Sequence, residues 1–140
     1  MHNAHSWLAL RRFAWETRTD RGRREADRAV MRRVIDPNAP IDGRAAVRLT
    51  KLRSQRYRST LARVVRENLE LGAARSPLAP PIARLLAGNA DQAALIASGL
   101  EHGDPDPRAV IETERLLEAP VPSPERLAWI VRLVTFSQPA

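Results

Sequence analysis

Helix start and stop signals recur along the whole chain, and no segment alternates apolar with polar residues as a half-buried strand must. The fold class this dictates is all-α. A first helix is predicted from about Ser6 to Val34, stopping before Asp36-Pro37-Asn38-Ala39-Pro40. A second runs from Asp42 as N-cap to Gly72 as the terminating glycine. After Gly72 nine of the eleven prolines fall between Pro77 and Pro139, so the helices there must be short. Pro80-Pro81 opens one that contains Ile82, Leu85 and Leu86 and closes at Gly88. Asn89, with Gln92 in capping-box register, opens another carrying Leu95, Ile96 and Leu100. Asp106-Pro107 starts a third, with Val110, Ile111, Leu116 and Leu117 inward. Ser123-Pro124 starts the last, where Leu127, Ile130, Val131 and Val134 repeat at helical spacing. The pattern predicts a long basic helical hairpin over residues 1–75 packed with a bundle of four short helices over residues 76–140. The connection from Ala73 to Leu78 is too short for a free linker, so one continuous domain is expected.

At 140 residues the chain is long enough to bury a core without staples, and it has no cysteine, which removes disulfides, thiolate metal sites and thiol nucleophiles together. Trp7-Leu8-Ala9-Leu10 is cut short by Arg11-Arg12, so no apolar stretch approaches a signal core or a membrane span. A cytoplasmic protein is expected.

Charge narrows the function further. The formal charge of +7 conceals a polarity: residues 1–75 hold 18 cations against 8 acids, and residues 76–140 hold 5 against 8. The 24 residues from Gly43 to Arg66 contain Arg44, Arg48, Lys51, Arg53, Arg56, Arg58, Arg63 and Arg66 and no acid at all. A GC-rich coding sequence would favour arginine over lysine, but it does not remove acids. A solvated helix normally interleaves the two signs, because like charges one turn apart repel. On a single helix, seven of the eight cations fall within an arc of about 160°, and Ala46, Val47, Tyr57, Leu61, Val64 and Val65 fall within a separate arc of about 100°. Arg44, Arg48, Lys51, Arg56, Arg58, Arg63 and Arg66 are therefore the candidate binding residues for a nucleic-acid phosphate backbone, which arrays of guanidinium groups hold without reading sequence. The alternative is a protein-interaction module whose basic helices pair with an acidic protein surface, on another subunit, a copy of itself or its own C-terminal bundle. Tyr57 could stack on a base, but its phase places it with the core.

In the first helix Glu16, Asp20, Glu25 and Asp27 lie among nine arginines, so much of that charge can neutralise itself, leaving Arg11-Arg12 and Arg32-Arg33 at its ends. Trp7, Leu10, Phe13 and Trp15 read as core or partner contacts. Gln92 to Leu100 resembles the first helix and turn glycine of a helix-turn-helix, but the acidic, proline-broken Glu101 to Pro107 that follows is poor material for a recognition helix. Glu112, Glu114 and Glu118 read as the wet face of a short helix. His2 and His5 have no companion ligands, and no phosphate loop, zinc signature or nucleophile elbow occurs, so neither a cofactor nor catalysis is expected.

In size, helix content and the basic stretch Arg44 to Arg66, the chain resembles the small subunits of class 1 CRISPR effector complexes, which are short, all-helical, arginine-rich proteins. The resemblance implies several copies in a ribonucleoprotein particle used in antiviral defence. It also implies contacts with backbone subunits and with RNA or single-stranded DNA, and no cleavage chemistry.

Overall fold

The computed structural model describes residues 20–136, and the chain is all-α there: seven helices, with no strand among the described residues. They are α1 (Asp20–Ile35), α2 (Gly43–Arg53), α3 (Gln55–Ala73), α4 (Pro81–Gly88), α5 (Ala90–His102), α6 (Pro107–Glu118) and α7 (Pro124–Phe136). The start of the predicted first helix, with His2, His5, Trp7, Leu10, Arg11, Arg12, Phe13, Trp15 and Arg18, lies outside the described residues. No helix of the described residues is long and apolar enough to cross a membrane.

Local chemistry places most boundaries. Asp42 accepts the Ala45 amide at 2.8 Å and starts α2. Asp106 accepts the Arg108 amide at 2.8 Å with Pro107 in the first helical position, and Ser123 Oγ accepts the Arg126 amide at 3.1 Å at the head of α7.

Three expectations are corrected. The predicted second helix is two helices, because Ser54 adopts extended dihedrals (φ −70°, ψ 121°). Its amide closes α2 on the Lys51 carbonyl, and its Oγ accepts the Tyr57 amide to open α3. The break resets the helical phase. Val47, assigned to the apolar arc, is 72% exposed, whereas Leu52, within the basic arc, is buried. Gly72 does not terminate α3, which runs on to Ala73, with Arg75 taking the left-handed conformation (φ 56°) after it. Gly72 is needed for packing: a Cβ there would lie 1.9 Å from the Ala83 carbonyl oxygen of α4. Asn89 heads α5 without a capping box, since its side chain donates backwards to the Leu85 carbonyl at 2.9 Å.

α3 packs along α4 and α5, α7 closes over α5 and α6, and α1 lies against α2 and α6. One continuous apolar cluster runs through all of them, from Val30 on α1 through Leu61 and Val65 on α3 to Ile130 and Val134 on α7. α6 is the most enclosed element, with nine of its twelve residues buried, and it carries the acids that meet the basic helices.

Candidate nucleic-acid interface

The seven predicted residues separate into two groups. Arg44 on α2 and Arg56 and Arg63 on α3 have exposed side chains and form no ion pair among the described residues. The other four are engaged within the molecule. Arg66 pairs with Glu101 at 2.7 Å and remains part-exposed. The Lys51 ammonium lies 4.6 Å from the centre of the Tyr57 ring. Arg58 is buried, donating to the carbonyls of Leu100 at 2.9 Å and Gly103 at 3.0 Å. Arg48 is enclosed between two carboxylates, Asp27 of α1 at 2.7 Å and Glu114 of α6.

Glu114 is the centre of a buried polar network that sequence reasoning missed. It is 1% exposed, and its carboxylate accepts from both terminal nitrogens of Arg48, from Arg23 at 3.3 Å and from the Tyr57 hydroxyl. Arg23 also donates to Glu118 at 2.8 Å. Burial alone would raise the Glu114 pKa, but the guanidinium groups of Arg48 and Arg23 and the Tyr57 hydroxyl outweigh it and hold the carboxyl below its ordinary value. Burial, and then the adjacent Glu114 carboxylate, pushes the Tyr57 hydroxyl well above its ordinary range. Burial opposes the Arg48 charge, yet Glu114 and Asp27 drive its pKa upward. With four donors on its two oxygens, Glu114 is a saturated strut that fastens α1, α2 and α3 to α6. The reading of Glu112, Glu114 and Glu118 as a wet face is therefore corrected. Glu112 and Glu114 are buried, and Glu112 bridges Arg115 and Arg126.

The network redistributes charge on α1. Asp27 turns inward to Arg48, so it does not neutralise the outer face of its own helix. There, Arg24, Arg28 and Arg32 are exposed and form no ion pair among the described residues; only Arg21 pairs, with Glu25 at 3.3 Å. Spacings of four residues place the three within an arc of about 80° and over about 12 Å of helix. Arg44 lies on α2, which packs beside α1. On α3, Arg56 and Arg63 are two turns apart on the outward face. Arg33 is turned away from the stripe and donates to the Ala39 carbonyl at 2.9 Å.

The helix-turn-helix candidate has no reading helix, because α6 is buried and cannot enter a major groove. Gly99, the supposed turn glycine, lies inside α5 where a Cβ would meet Val134 at 2.9 Å. Comparison with protein-family models, curated proteins and solved structures gives no match to the chain.

Proposed function

We propose that the protein binds a nucleic-acid phosphate backbone without reading its sequence, through the outer face of α1. The observation that carries this reading is the row Arg24, Arg28 and Arg32, exposed and lacking ion-pair partners among the described residues. Arg44 extends the row onto α2, and Arg56 and Arg63 supply a further cationic strip on α3. Guanidinium groups repeating every helical turn suit a regular polyanion better than a folded acidic protein, whose carboxylates follow no such repeat. The likeness to class 1 CRISPR small subunits makes a guide-bearing ribonucleoprotein the assembly in which to seek the partner strand.

The test is fluorescence anisotropy of labelled RNA and single-stranded DNA at low salt, with the Arg24→Glu/Arg28→Glu/Arg32→Glu variant beside the native protein. The variant should lose at least about a hundredfold in affinity for every sequence while its melting temperature is unchanged, since none of the three touches the core. Equal affinity in the two proteins would refute the assignment of the surface, and absence of binding by the native protein would refute the function.

A further inference from the structure

A groove of about 660 Å³ opens where the C-terminal ends of α1 and α2 meet the loop between α5 and α6. Val34, Leu49 and Pro105 give it apolar walls, and Arg53, Arg58 and Asp104 stand among them. Its volume lies within the range of small-ligand sites.

The polar groups are unusual in what they lack. Arg58 is only 9% exposed, yet it donates to two neutral carbonyls, and no carboxylate pairs with it among the described residues. A permanent cation so enclosed without a counter-ion projects its field into the groove. Arg53, at the rim, is exposed and forms no ion pair among the described residues. Asp106 also lines the groove, where one of its carboxylate oxygens accepts the Arg108 amide. Asp104 is exposed on the loop and accepts no hydrogen bond among the described residues. The groove thus offers seats for an anion and, beside them, a free acceptor. A bare phosphate would satisfy the first and be repelled by the second, and an acidic peptide side chain would fare no better. A nucleotide with an amino-bearing base answers both, because carboxylates accept from the exocyclic amine of cytosine. Arg33, at the C-terminal end of α1, lines the groove on a side of the helix turned away from the row, so a strand leaving the row at Arg32 must cross the end of α1 to reach the groove.

We infer that the groove receives one unstacked nucleotide of the bound strand, with its phosphate toward Arg53 and Arg58 and the amine of its base donating to Asp104. The inference rests on the backbone-binding reading above and gives it a base preference at a single position.

Amide chemical shifts of the full chain, titrated separately with cytidine and uridine monophosphate, test the groove itself. Cytidine monophosphate should shift the amides of Asp104 and Arg53 and bind at least about fivefold more tightly than its uridine counterpart, and Asp104→Ala should abolish that difference. No shift at these residues, or equal affinities in the native protein, would overturn the inference. Oligonucleotide binding to the native protein and to the α1 triple variant is measured in parallel. Mononucleotide discrimination without oligonucleotide binding would keep the groove and refute the backbone reading. Oligonucleotide binding that leaves the groove amides unmoved would do the reverse.

Discussion

Arg48 shows why counting charges along a sequence is not the same as counting available charges. It belongs to the acid-free stretch, yet it is held by Asp27 from 21 residues before it and Glu114 from 66 residues after it. Neutralising Glu114 leaves Arg48 paired with Asp27 and Arg23 with Glu118, but it weakens the charge-assisted hydrogen bonds that both arginines make to it. Glu114→Gln should therefore cost about 1 to 3 kcal/mol of unfolding free energy, measured by urea titration. A cost near zero would mean that the network contributes nothing to the fold. The position of Glu114 was legible in principle. On a helical wheel for α6 it falls between Leu117 and Ile111, inside the apolar arc. Its partners were not legible, because they come from three other helices and no local pattern connects them.

At the scale of elements, α4, α6 and α7 were readable because each is punctuated by proline, serine or aspartate acting within a few residues. The long basic segment misled for the opposite reason. A single serine broke it, and a break by one residue rotates every later side chain relative to the earlier ones. The self-neutralisation expected of α1 holds for Arg21 with Glu25 but not for Asp27, which has the spacing to serve its own helix but pairs inward with Arg48. Gly72 has the sequence position of a terminator and the structural role of a spacer between α3 and α4. Replacing it with alanine would gain about 1 kcal/mol in helix propensity. It would also force a Cβ into the Ala83 backbone carbonyl, an obstruction that no rotamer change relieves. Gly72→Ala should consequently destabilise the protein, at or above the upper end of the roughly 1 to 3 kcal/mol typical of overpacked sites. A variant as stable as the native protein in thermal melts would show that α3 and α4 separate easily.

For the molecule as a whole, the basic first half and acidic second half are partly each other's counter-ions: Arg23 and Arg48 meet Glu114, and Arg66 meets Glu101. This coupling predicts stability limits at both ends of the pH scale. Glu114, whose pKa is held down in the folded state, contributes stability that is present above its ordinary value of 4.5 and is lost as pH falls below it. Tyr57, whose pKa is raised, contributes stability that is present below its ordinary value of 10.0 and is lost as pH rises beyond it. Unfolding free energy measured against pH should fall on both flanks. Glu114→Gln should flatten the acid limb and Tyr57→Phe the alkaline one, and limbs unchanged by these variants would assign the titrations to other groups. Of the cations left over, those on the outer face of α1, with Arg44, Arg56 and Arg63, are the ones the proposed function uses.

The most direct test of that function is the slope of log affinity against log salt for a single-stranded oligonucleotide. Counterion release contributes about 0.7 to the slope for each phosphate neutralised on a single strand, so the Arg24→Ala/Arg28→Ala/Arg32→Ala variant should show a slope shallower by about 2 than the native protein. Coincident slopes for the two proteins would mean that these arginines touch no phosphate and would contradict the account.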